Sequence, residues 1–142
     1  MPFYFNGIKI FSQTGGAEKS DIAYILTHTQ VSKAADGSVK QADLLSRYAA
    51  DLVEKIQRGS GNEQPLKGLK IVVDAGNGAG GYFADKVLAV LGADTSGSQF
   101  LEPDGHFPNH IPNPDNKEAM ASIKKAVLDN QADLGVIFDK DV

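Results

Sequence analysis

The amino-acid sequence predicts an α/β fold, a β-α-β-α-β unit with a mainly parallel sheet, and three observations carry that prediction. Two apolar runs, Ile71-Val72-Val73 within the strand 69–74 and residues 134–138, are continuous rather than alternating, the pattern of strands buried on both faces. Between them, apolar residues recur at helical spacing in two stretches, near 82–91 and 119–128. Strands that alternate with helices in this way imply parallel pairing through right-handed crossovers.

The chain divides near residue 40. Residues 1–40 hold a strand-like run, Ile8-Lys9-Ile10-Phe11, the turn signal Thr14-Gly15-Gly16 and a short helix around 21–26. This is too little to close a core, so the segment reads as the end of another domain, joined by the small polar stretch 32–38. Residues 41–142 begin with an amphipathic helix over 41–58, its apolar face Leu44, Leu45, Tyr48, Leu52, Val53 and Ile56 and its stop Gly59. The strand 69–74 runs into a glycine-rich loop, 76–81. A helix over 82–91 follows, burying Phe83, Val87, Leu88 and Leu91, with Gly92 as its C-terminal cap. A weaker strand at 95–101 precedes the proline-rich loop 102–114. Asp115-Asn116-Lys117-Glu118 is a relative of the capping box, which starts a helix whose core face is Ala119, Met120, Ile123, Val127 and Leu128. The last strand, 134–138, delivers Asp139 and Asp141 to its C-terminal end.

Composition narrows the function classes. At 142 residues, 42% hydrophobic and 23% charged, the chain has enough apolar material for one globular core. A net charge of −4 offers no basic stripe for nucleic acid. The absence of cysteine removes disulfides and thiolate zinc sites and fits the reducing cytoplasm, the expected location. No apolar stretch approaches the roughly 20 residues that span a bilayer, so no membrane partner is expected. The first residues, Met1-Pro2-Phe3-Tyr4-Phe5-Asn6-Gly7, carry no basic signal-peptide region.

Four features bear on chemistry. Asp139 and Asp141, spaced i, i+2 at a strand tip, are hard oxygen donors of the kind Mg²⁺ takes while keeping positions for water and phosphate. An Asp-x-Asp pair after an apolar strand also resembles the start of the nucleophile motif of haloacid-dehalogenase-type phosphatases, although that strand lies near the start of their catalytic domain and here it closes the chain. The loop Asp74-Ala75-Gly76-Asn77-Gly78-Ala79-Gly80-Gly81 formally matches the dinucleotide fingerprint, which makes a nucleotide-binding Rossmann-like module an alternative. Against it, Asp74 places negative charge where pyrophosphate would sit; a tight turn with close helix–sheet packing accounts for the glycines equally. In Asp104-Gly105-His106-Phe107-Pro108-Asn109-His110-Ile111-Pro112-Asn113-Pro114 the two histidines suggest a zinc pair, but Pro108 bars the helix that would align them. Hydrogen bonds to backbone or carboxylates suit them better.

Taken in order, these segments resemble the α-D-phosphohexomutases, the phosphoglucomutase/phosphomannomutase family. Asn6-Gly7-Ile8-Lys9 is similar to that family's NG-[FIM]-K segment. Val73-Asp74-Ala75-Gly76-Asn77-Gly78-Ala79-Gly80 is similar to its VD-x-x-[NH]-G-x-[GA] stretch, and residues 104–114 to its DG-x-FP-x-H-x-P-[ND]-P loop. The tail Asp139-Lys140-Asp141 resembles the start of its D-G-D-x-D-R metal loop, with Lys140 in place of glycine. The resemblance implies residues 1–40 as the end of domain one plus a linker, and residues 41–142 as domain two, a three-layer βαβαβ domain ending within the metal loop. It implies an intramolecular phosphotransferase that interconverts hexose 1- and 6-phosphates through a phosphoserine and a bisphosphate. Asp139 and Asp141 would be the first two Mg²⁺ ligands, and Lys9 a catalytic residue, acting as general acid/base near the sugar hydroxyl. Partners would be the phosphorylated hexose and the other domains of the same chain. The phosphoserine would precede Met1 and a third aspartate would follow Val142, so these 142 residues are expected to be inactive alone. A non-catalytic packing domain is the other alternative.

Overall fold

The computed structural model describes residues 4–5, 7–30 and 37–140. It divides into two units, Met1–Ala42 and Asp43–Val142. The linker stretch falls mostly outside the described residues, as does Asp141.

In the first unit, β1 (Phe11–Ser12) pairs antiparallel with β2 (Gly15–Gly16), and α1 (Lys19–Thr27) follows. The expected strand at Ile8 to Phe11 shrinks to its end, because Gly15 and Gly16 form the return strand of a hairpin and only Phe11 and Ser12 pair with them. Beyond that ladder, the Ala17 amide still donates to the Ile10 carbonyl at 2.8 Å. No described residue of this unit is buried.

The second unit opens with α2 (Leu44–Ser60). Asp43 caps it, its carboxylate accepting from the Ser46 amide. Gly61, left-handed at φ 64°, ends it. The expected stop at Gly59 is therefore displaced by two residues; nothing crowds Gly59, and a glycine in a right-handed turn merely weakens a helix. The buried residues of α2 are Ala49 and Val53, while Leu44 and Tyr48 are exposed.

Strand β3 (Ile71–Asp74) is wholly buried and pairs in parallel with β4 (Leu134–Ile137), Ile71 opposite Leu134 and Asp74 opposite Ile137. Alternate residues of β3 face different helices. Ile71 and Val73 meet Ala84 and Leu88, whereas Val72 meets Ile123 and Ala126 of α3 (Lys117–Asp129). Ala49 and Val53 of α2 join Val87 and Leu91 in a further cluster.

Three expectations are corrected here. The weaker strand at 95–101 forms one isolated bridge to β3, Asp74–Gln99, and a second, Lys70–Asp94, lies just before both segments. A turn at Thr95 to Ser98 lifts the chain away, and the Ser98 hydroxyl takes the Val73 amide (2.9 Å) that a strand carbonyl would otherwise receive. The segment after the glycine loop is a short 3-10 turn, Ala79–Gly81, and a π-helical stretch, Ala84–Leu88, rather than one regular helix. In α3, the cap is Asn116, whose side chain accepts from the Glu118 and Ala119 amides. Leu128, expected inside, is 77% exposed, and Ala126 takes its place in the core.

Candidate functional site

The loops that follow β3 and β4 meet at the carboxyl ends of the strands, and Asp74 is what holds them. Its side chain is fully buried. Four donor groups converge on its carboxylate: the Gly76 amide (2.9 Å), Gln99 Nε2 (2.8 Å), Ser122 Oγ (2.9 Å) and His110 Nε2 (2.9 and 3.0 Å to the two oxygens). A charge can be buried only when satisfied in this way. The His110 ring is almost as enclosed, its side chain 4% exposed. Its Nδ1 faces the Ile111 carbonyl at 3.1 Å. A carbonyl and a carboxyl group thus flank the two ring nitrogens. Phe100 closes the pocket edge-on, ring centroids 5.5 Å apart.

The glycine loop wraps this pair. Gly76 is left-handed at φ 53°, and a Cβ there would stand 2.9 Å from both His110 Cε1 and Pro112 Cβ, so two independent constraints require glycine. Asn77, Phe100 and Phe107 are also left-handed although they carry side chains, a concentration of strain typical of functional loops. The Asn77 amide donates to the Phe100 carbonyl, its side chain to Glu102, and Asn109 donates to its oxygen. The Gly78 amide donates to Ala75 and the Ala79 amide to the Lys140 carbonyl, at 2.7 and 3.1 Å. Four successive amides are therefore taken internally, and none of the four is aimed at an anion. The dinucleotide reading finds no phosphate cradle in them.

Asp139 is exposed at the end of β4, in a hollow of about 390 Å³ that Asn113 and Asp115 also line. Asp141 lies outside the described residues. Among the described residues no three histidine or acidic side chains converge on one point, although the donors present around Asp139 are hard oxygens suited to Mg²⁺. Lys9 is exposed in the first unit. The two histidines do not form a pair: His106 contacts Asp104 (2.9 Å), whose carboxyl is held below its ordinary value first by the His106 amide and then by its ring. An open groove of about 730 Å³ runs beside Lys140, lined by Tyr48, Tyr82, Asp104 and Phe107. Burial there pushes the Tyr82 phenol up, and Tyr48 adds to it.

The family profile described as "Phosphoglucomutase/phosphomannomutase, alpha/beta/alpha domain II" matches residues 46–142. The chain belongs to that family. A phosphomannomutase/phosphoglucomutase of Pseudomonas putida is 34% identical over 142 residues, covering 99% of this chain and 29% of its own length. A phosphomannomutase of Salmonella typhimurium is 34% identical over 152 residues, 99% of this chain and 32% of that protein. A phosphoglucomutase of Neisseria gonorrhoeae is 31% identical over 141 residues. A crystal structure of a phosphoglucomutase/phosphomannomutase family protein from Burkholderia thailandensis superposes with a TM-score of 0.62 at 32% identity, covering 77% of this chain and 22% of that one. The chain thus spans under a third of these relatives' length. No helix among the described residues is long and apolar enough to cross a membrane.

Within this phosphoglucomutase/phosphomannomutase domain, the sequence reading missed the centre of the network. It treated Asp74 as an argument against phosphate binding and left the histidines' partners unnamed. The signal was present: an acid closing a fully apolar strand must find buried donors. The 36-residue separation from His110 hid which donors they were.

Proposed function

We propose that this chain supplies the domain-two scaffold and the cation loop of a phosphohexose mutase. That enzyme moves a phosphoryl group between the 1- and 6-positions of a hexose through a phosphoserine and a bisphosphate. The carrying observation is the anchoring of the strand-end loop: Lys140 is tied to Ala79 beside the exposed Asp139, inside the region that matches the family. In this reading Asp139 and Asp141 hold Mg²⁺, which would neutralise charge on the transferring phosphoryl group. Lys9 stabilises or exchanges a proton with the sugar hydroxyl. Lys140, where the family has glycine, adds a positive charge next to the ion. The domain is of the three-layer type, a mainly parallel sheet between helical layers, in a protein that works in the cytoplasm.

The test is a Mn²⁺ titration, with the chain's own tail as control. Saturable binding that disappears in Asp139→Asn and Asp141→Asn supports the reading; binding indifferent to both substitutions sinks it. A coupled assay of hexose 1-phosphate conversion is expected to show no turnover by these 142 residues alone. NADH and ATP are expected to show no saturable binding, which separates this reading from the nucleotide-binding alternative.

A further inference from the structure

We propose that His110 is a positioning residue for the cation loop, acting through Asp74 and the glycine loop rather than by touching ion or substrate. The inference rests on the reading above for its consequence, but the coupling itself stands on geometry alone.

The path is short and every link is a direct contact. His110 Nε2 is bonded to Asp74, and Asp74 Oδ1 also accepts the Gly76 amide. The ring leaves no room at Gly76: a Cβ there would meet His110 Cε1 at 2.9 Å. The ring and carboxylate therefore fix the left-handed turn at Gly76 and Asn77 from two sides. Two residues on, Gly78 lies against the Lys140 backbone, where an added Cβ would stand 2.9 Å from Lys140 Cα, and the Ala79 amide donates to the Lys140 carbonyl. Lys140 is the residue between the two aspartates.

The His110 side chain is only 4% exposed. It has its own strained support, since Phe100 adopts φ 54° with its ring against the imidazole. Such strain persists only where the surroundings over-determine it. A purely structural histidine would stabilise the core evenly. A positioning one makes the far end of the loop depend on it more than the core does.

Hydrogen exchange on the whole 142-residue chain separates the two. In His110→Ala, the Ala79 amide is expected to exchange about tenfold faster or more, while Val72 and Val73 in β3 keep their protection. His110→Gln, which places a donor near the Nε2 position, is expected to bring Ala79 back to within about threefold of the original rate. Unchanged protection at Ala79 overturns the proposal, and so does a loss shared equally by Val72 and Val73. Should His110→Ala fail to fold, His110→Asn, whose shorter side chain falls short of Asp74, takes its place: Ala79 exchanging faster while β3 stays protected supports positioning, and Ala79 unchanged or falling together with β3 overturns it. Mn²⁺ affinity is read on the same samples and is expected to fall about tenfold in His110→Ala and recover in His110→Gln. If the original chain binds no Mn²⁺, the mutase reading fails, and the exchange rates still decide the role of His110.

Discussion

Lys140 stands between the two aspartates of the proposed cation loop, and its effect on that proposal is calculable. An ammonium some 4 Å from a divalent ion in water opposes binding by about 1–2 kcal/mol. Lys140→Ala is therefore expected to tighten Mn²⁺ binding by roughly fivefold to thirtyfold at low ionic strength, an advantage that shrinks as salt is added. Titrations at two salt concentrations check both halves of that statement. Asp74 is the opposite kind of residue, one that cannot be altered quietly. Asp74→Ala strands His110, Gln99 and Ser122 donors in the interior, and is expected to cost about 3–5 kcal/mol in urea unfolding. If its midpoint moves by less than a third of that, the network is not the keystone described here.

At the scale of elements, what the sequence revealed depended on whether the signal was local. Both strands were legible because apolar runs carry their own pattern, although only β3 is buried and Leu134 of β4 is exposed; α3 was legible from Asp115-Asn116-Lys117-Glu118, with the cap at Asn116, one residue after the start of that box. The buried stripe of α2 was not. Its periodicity is satisfied by Tyr48 and Leu45 as well as by Ala49 and Val53, and only the position of Val87 and Leu91 across from it chooses between them. The broken third strand was hidden for a related reason: Ser98 replaces a backbone partner with a hydroxyl, a substitution with no period. Of the candidate site, the place of Asp139 just after β4 was readable, while the Asp74–His110 contact required the fold. The α2 cap also predicts a pH response. The Ser46 amide, then its hydroxyl, holds Asp43 below its ordinary value of 3.8. A depressed carboxyl stabilises the folded state above the unfolded value, and that contribution is lost as pH falls through the folded one. The first turn of α2 should therefore fray below about pH 3.8. The Ser46 amide resonance should report the fraying, and Asp43→Asn should remove the titration while keeping the cap.

For the molecule as a whole, the division of burial is the governing fact. Every buried residue described belongs to Asp43–Val142, and Met1–Ala42 has none. Deleting residues 1–42 is expected to leave the main calorimetric transition within a few degrees of its original temperature. Leu91→Ala, by contrast, empties a side chain only 1% exposed and should cost about 2–5 kcal/mol. A large drop on deletion would mean that the first unit carries stability its exposure does not reveal. One further property follows from Asp74, whose carbonyl accepts the Phe138 amide at 3.2 Å while its side chain organises the glycine loop. Both loops are thus referenced to a single residue at the tip of β3. When thermal motion displaces that tip, the two loops travel together, and the displacement cancels from the distance between them. The geometry at the strand ends is insulated from the breathing of the sheet beneath it, as two instruments bolted to one plate keep their alignment while the plate vibrates.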